Sequence, residues 1–127
     1  MWVLKSKAEL QDAIVDTLEM SPINGADGLS KPIGSWDVSA VTDMSSLFAQ
    51  EFLKEIEEAY KFNGDLSKWD VSSVTDMYRT FYKATAFDQT ISAWNTSKVT
   101  TMEYMFEGSG LQSCPSWAVG KDAEGPC

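Results

Sequence analysis

The sequence predicts an α/β solenoid, a stack of units of about 25 residues in which each unit is a short strand, a turn and a short helix. Three observations carry that prediction. A phrase headed by tryptophan recurs as "WDVSAVTDMSSLF" at Trp36, "WDVSSVTDMYRTF" at Trp69, "WNTSKVTTMEYMF" at Trp94 and a truncated "WAV" at Trp117, with intervals of 33, 25 and 23 residues. Apolar columns recur in register inside it: Val38, Val71 and Thr96; Val41, Val74 and Val99; Met44, Met77 and Met102; Phe48, Phe81 and Phe106. The apolar period also changes within each copy, from an extended segment ending at the tryptophan ("FNGDLSKW", "FDQTISAW") to Val74, Met77 and Phe81 at i, i+3 and i+7, one face of a two-turn helix.

Each element follows in chain order. "SKAELQDAIVDTLEM" opens with a capping box, Ser6 to Glu9, and sets Leu10, Ala13, Ile14 and Leu18 on one helical face, so it should cap the open end of the stack. The next stretch, "SPINGADGLSKP", is a loop by its Pro, Gly, Asn and Asp content. Three residues before each tryptophan stand Ile33, Leu66, Ile91 and Cys114, and further upstream Leu29, Phe62, Phe87 and Leu111. Thr42, Thr75 and Thr100 are placed to N-cap the short helices, "TTME" at 100–103 has capping-box form with Glu103 at N3, and Asp43 and Asp76 suit a helix N-terminus. The long first interval carries an insertion. In "AQEFLKEIEEAYK", Phe52, Leu53, Ile56, Ala59 and Tyr60 share a helical stripe, with Lys54–Glu58 and Glu57–Lys61 at i, i+4, so a helix is expected over about residues 50–61.

The chain thus reads as one repeat domain over residues 1–127: an N-terminal capping helix and loop (1–28), repeats with the insertion (29–113) and a C-terminal cap (114–127). Its length suits one domain, and 43% apolar with 23% charged residues is the composition of a folded globular chain. A net charge of −9 argues against a nucleic-acid partner and against anionic membrane surfaces. No apolar run is long enough to span a membrane, and "MWVLKSKAEL" lacks the apolar core of a secretory signal, so the start reads either as a chain start or as the edge of a piece of a longer secreted protein. Cys114 and Cys127 bracket "CPSWAVGKDAEGPC". Pairing is favoured over two free thiols, because it would restrain a tail with few other means of staying folded, and it implies an oxidising compartment.

These phrases resemble the BspA-like leucine-rich-repeat surface proteins, including the mycoplasma surface-lipoprotein repeat of unknown function, from residue 29 to about 117 through "FNGDLSKWDVSSVTDM", "ATAFDQTISAW" and "VTTMEYMFEGS". The resemblance implies a leucine-rich-repeat-like αβ solenoid, a surface or secreted location, and roles in adhesion or protein contact, with no catalytic residues to carry over. The insertion, Thr96 in a valine column and Asn95 in an aspartate column depart from the pattern.

Candidate sites are few. The tryptophans Trp36, Trp69, Trp94 and Trp117 could form a sugar-stacking platform, but their register with the valine, methionine and phenylalanine columns favours a core ladder, each indole bonded to a turn carbonyl. Asp37, Asp70 and Asn95 could ligate calcium as a stacked row; bonds to the turn backbone of the next coil are the favoured alternative. "NGADG" and "FNGD" echo calcium loops without an EF-hand's ligand spacing, and "NTS" at 95–97 is a formal glycosylation sequon in a turn column. Without histidine, and with no base beside either cysteine, enzyme chemistry, cofactors and a resident metal are not expected. The expected function is a non-enzymatic extracellular or cell-surface module for protein contact or adhesion, through Phe52, Lys54, Glu55, Glu58, Arg79, Lys83 and Tyr104. Carbohydrate- or calcium-dependent surface binding, or a spacer role in a larger assembly, are the alternatives.

Overall fold

A computed structural model describes residues 3–23, 25 and 32–127. Leu29 and most of "NGADG" lie outside the described residues. The chain opens with helix α1, Lys7–Met20, whose Ser6 cap accepts a hydrogen bond from the Glu9 backbone N–H at 3.2 Å. The Glu9 carboxylate accepts from the Lys5 N–H at 2.8 Å rather than from Ser6. Leu10, Ala13, Ile14, Thr17 and Leu18 form its buried face, and its four apolar members join the same core as the first repeat copy. Leu4 N–H donates to the Asp37 carbonyl at 3.0 Å, and the Lys7 ammonium reaches Ser45 Oγ at 2.7 Å and Asp43 at 3.6 Å, fixing α1 against that copy.

The repeats do not form strand–turn–helix units. Among the described residues there is no strand and no sheet, and parallel pairing is confined to three isolated bridges, Val3 with Asp37, Asp43 with Asp76 and Asp76 with Thr101. The predicted α/β solenoid, and with it the leucine-rich-repeat architecture, is therefore overturned. The cause is where the backbone donors go. A helix would commit each N–H to the carbonyl four residues back. Here alternate donors leave the copy: Met77, Arg79, Phe81 and Lys83 donate at 2.7–3.1 Å to the carbonyls of Thr101, Glu103, Met105 and Glu107 in the next one. The N–H groups that alternate with them turn back within the copy, those of Thr80, Tyr82 and Ala84 to the carbonyls three residues earlier at Met77, Arg79 and Phe81, and that of Tyr78 to the Asp76 carboxylate. Met44, Ser46, Phe48 and Gln50 likewise donate to Asp76, Tyr78, Thr80 and Tyr82. Each segment is thus a ribbon of successive tight turns, and the backbone inventory closes without helix or strand.

The ribbon needs a left-handed residue at a fixed column, and Ser46, Arg79 and Tyr104 hold φ of 57°, 53° and 57°. The left-handed region is costly for residues with a Cβ, so three occurrences in register point to a geometry imposed by the inter-copy bonds rather than by residue preference. The threonines are not N-caps. Thr75 and Thr100 give both N–H and hydroxyl to the preceding copy's carbonyls, those of Thr42 and Thr75, at 2.8–3.2 Å. Asp43 and Asp76 accept from the N–H two residues on, at Ser45 (2.8 Å) and Tyr78 (2.9 Å), so they close turns rather than complement a helix dipole.

The columns supply the core. Met44, Met77, Met102, Phe48, Phe81 and Phe106 are buried, and the phenylalanines stack across copies: Phe48 on Phe81 at 5.5 Å and Phe81 on Phe106 at 5.9 Å. Phe62 and Phe87 interleave with them at 4.9 Å to Phe48 and 4.1 Å to Phe81. Trp36, Trp69 and Trp94 are buried, and Trp117 is half-buried at the end of the row. Each indole from the second copy onward donates to the carbonyl of the residue that precedes the previous tryptophan by three: Trp69 to Ile33 at 2.8 Å, Trp94 to Leu66 at 3.0 Å and Trp117 to Ile91 at 3.1 Å.

The insertion is not one helix. Only Gln50–Leu53 is helical (α2), and after intervening turns Ala59–Lys61 forms a 3₁₀ turn. Glu58, left-handed at φ 64°, breaks the expected stripe. Lys61 pairs with Glu58 at 3.4 Å, an i, i+3 contact in place of the expected one with Glu57. At the far end, residues 114–127 close on themselves through the Cys114–Cys127 disulfide. The carbonyls of Asp122 and Ala123 accept the Tyr104 and Phe106 N–H groups, so this segment takes the place of a further copy.

Candidate functional site

Most of the repeated letters are consumed by the stack. The buried tryptophans offer no sugar platform on Trp36, Trp69 or Trp94. Asp37 and Asp70 each bind the N–H and hydroxyl of the serine two residues on, Ser39 and Ser72, and Asn95 accepts the Ser97 N–H at 3.1 Å. These bonds stay within the residue's own copy, which corrects the expectation that they would reach the turn backbone of the next coil. They hold the Asp37 and Asp70 carboxyls below the usual carboxylate range, chiefly through the serine hydroxyl and then its N–H. Asp65 is lowered in the same way by Ser67. At Asp43 burial pushes upward, and the Ser45 and Lys7 bonds together outweigh it. Among the described residues no group of three or more Cys, Asp or Glu side chains is arranged to hold a metal ion. Two surface grooves, about 380 Å³ beside Asp88, Gln112 and Pro115 and about 430 Å³ beside Trp36, Asp37 and Asp70, are lined largely by these turn residues. In the first, Asp88 Oδ1 already accepts the Gln112 N–H at 3.1 Å.

The letters that vary between copies converge elsewhere. Arg79 and Tyr104 occupy the same column in adjacent copies, so the ribbon sets them side by side. The Arg79 guanidinium carbon lies 4.6 Å from the Tyr82 ring centre, 5.1 Å from Tyr78 and 5.7 Å from Tyr104, within cation–π range of all three. Tyr78 and Tyr104 meet edge to face at 6.0 Å and 75°. The Lys83 ammonium stands 5.0 Å over the Tyr82 ring, which is itself largely buried. The insertion reaches this cluster through α2: Gln50 N–H donates to the Tyr82 carbonyl, and Glu51 lies 3.9 Å from the Arg79 guanidinium. Arg79 Nε is buried without a hydrogen-bond partner among the described residues.

Of the residues singled out from sequence, Arg79, Lys83 and Tyr104 are thus brought together. Phe52 is half-buried against the core, while Lys54, Glu55 and Glu58 are exposed on the insertion, Glu58 engaged with Lys61. Thr80, a varying letter, is structural: it is buried, and its hydroxyl lies within hydrogen-bond distance of the Met44 and Met77 carbonyls. Sequence reasoning missed Tyr82 and Glu51. Tyr82 follows Arg79 by three residues, the span of one turn of the ribbon, and that spacing was its only signal. No helix of the described residues is long and apolar enough to cross a membrane.

Comparison with curated proteins gives no match, and comparison with solved structures gives none. Residues 19–122 match the family described as "Mycoplasma protein of unknown function, DUF285". That span takes in the end of α1, every repeat copy, the insertion and most of the C-terminal cap, and the chain therefore belongs to this family.

Proposed function

We propose that the chain is a non-enzymatic module that contacts a partner protein in an extracellular or cell-surface setting. The observation that supports it most is the Arg79 cluster. An arginine is walled by three tyrosines, of which Tyr78 and Tyr104 stand on columns the core does not use while Tyr82 is buried beneath, and tyrosine and arginine are the residue types that carry binding energy at protein interfaces. A scaffold whose repeated letters pack, leaving varying letters such as Lys83 and Tyr104 at the surface, is suited to recognition. The setting is supported by the Cys114–Cys127 pairing, since disulfides persist in oxidising compartments, and by the likeness of the repeated phrases to BspA-like surface proteins. The acidic net charge of −9 disfavours a nucleic-acid partner.

A photo-crosslinking amino acid placed at Tyr104, and separately at Ser113 beside the C-terminal cap, tests this on the surface and extracellular fractions of the source cells. A partner protein captured from position 104 and not from position 113 is the expected result. Identical capture from both positions refutes the assignment.

A further inference from the structure

We infer that the Arg79 cluster takes a carboxylate, presented by an acidic side chain of the partner, and that Glu51 is the internal group this carboxylate displaces. The inference rests on the protein-contact reading and specifies its chemistry. A guanidinium is a planar fork that matches a carboxylate with two parallel hydrogen bonds. Arg79 is held in place by three rings with its Nε buried, so the edge left to an incoming carboxylate is that of the two Nη groups, and there Glu51 stands at 3.9 Å from Nη1, too far for a hydrogen bond. The site is thus oriented for an anion and only loosely engaged with one. The Glu51 side chain is 64% exposed, and such a pair holds its anion weakly, so exchange is easy.

Charge narrows the partner further. The chain carries 19 acidic and 10 basic side chains, so an acidic partner is repelled by most of its surface. Arg79 and Lys83 lie together over Tyr82, making a local cationic spot with aromatic walls. Such a partner can dock there and is disfavoured elsewhere, which fixes the register of the contact. The rings favour a side chain over an acidic sugar. Tyr78 and Tyr104 stand at 75° to each other, so they bound a slot rather than offer a flat platform to a pyranose face. Glu51 belongs to α2 in the segment that breaks the period, which gives the insertion a role as internal competitor.

The test is a titration of the oxidised full chain with a capped peptide of alternating Glu and Ser, followed by NMR at the Arg79 Nε–H and the Tyr78 and Tyr104 rings. Saturable shifts at these groups are expected, with none from the same peptide carrying Gln for Glu. E51Q should tighten binding by about 2- to 5-fold, the worth of an exposed ion pair. R79K, which keeps the charge and loses the fork, should weaken it by about 10-fold. No shift at Arg79, or tighter binding of an oligouronate than of the Glu peptide, overturns the inference; the second result would assign the site to an acidic glycan. If crosslinking from position 104 captures the partner equally in the R79A chain, the protein-contact reading stands and the carboxylate inference alone falls.

Discussion

Replacing Trp94 by phenylalanine tests whether the indole ladder holds the copies together. Trp94 is 5% exposed, and its Nε1–H donates to the Leu66 carbonyl at 3.0 Å. That carbonyl also accepts the Trp69 N–H at 3.1 Å, so losing the indole leaves it with one bond. The cost of the missing hydrogen bond is therefore the net value of about 1 kcal/mol rather than the full penalty of an orphaned acceptor. The smaller ring also leaves a void beside Phe81 and Trp117, whose ring centres lie 6.2 and 6.1 Å away, adding about 1–2 kcal/mol. The sum is about 2–3 kcal/mol. Trp117 makes the same bond to Ile91 but is half-buried at the end of the row, so Trp117→Phe should cost about 1 kcal/mol. Urea unfolding followed by circular dichroism, with the disulfide intact in all variants, gives both values from the shift in midpoint at constant slope. A Trp94→Phe chain within about 0.5 kcal/mol of the parent, or no weaker than Trp117→Phe, would refute the ladder as a source of stability.

Three further outcomes follow from the same geometry. A Cβ at Gly110 would sit 2.3 Å from the Thr85 carbonyl oxygen, a backbone atom that cannot swing aside, so Gly110→Ala should lose about 2 kcal/mol or more; Gly120→Ala, with nothing within 4 Å and only its φ of 75° to oppose it, should lose less, and equal midpoints in urea would count against the close approach of copies. Reducing Cys114–Cys127 should cost about 2–3 kcal/mol by releasing the loop, read as a lower melting temperature in reductant, and an unchanged melting temperature would show that the cap holds without it. The lowered Asp37 and Asp70 carboxyls stabilise the fold above the unfolded carboxylate pKa, near 4, and this contribution is lost as pH falls through their folded values; Asp37→Asn with Asp70→Asn keeps the turn acceptor, as Asn95 does naturally, but not its charge, and should flatten the acid limb of an unfolding curve chiefly by lowering stability at neutral pH, an unchanged acid limb counting against the role of these carboxyls.

The register of the repeats and helix α1 were legible in the sequence, and the secondary structure of the repeats was not. Val74, Met77 and Phe81 at i, i+3 and i+7 satisfy a helical face, but a ribbon of three-residue turns brings side chains inward at nearly the same spacing, so periodicity alone does not separate the two. The deciding fact is non-local: the Met77, Arg79 and Phe81 donors find carbonyls in the next copy, about 25 residues away, and no local propensity encodes that choice. The left-handed column gives little away, because serine, arginine and tyrosine fill it. One clue lay in the adjacent left-handed column, where Gly108 at φ 71° stands in the next copy's place of Lys83 at φ 57°. For the site, aligning Arg79 with Tyr104 made them neighbours at once, whereas Glu51 depends on where the insertion folds back and no alignment of copies could place it.

The alternating donors have a direction. Each copy sends a row of N–H groups onward to the carbonyls of the one after it, so the two faces of a copy are unlike, as the ends of a battery are. A chain stripped of its C-terminal cap would offer Tyr104 and Phe106 donors to whatever presents the right carbonyls, and the first copy of a second chain would do so once its α1, which packs against that copy, is displaced. Such a contact joins head to tail and never closes on itself, so it grows into a thread rather than a pair. Residues 114–127, stapled by their disulfide, and α1 at the opposite end keep the array finite.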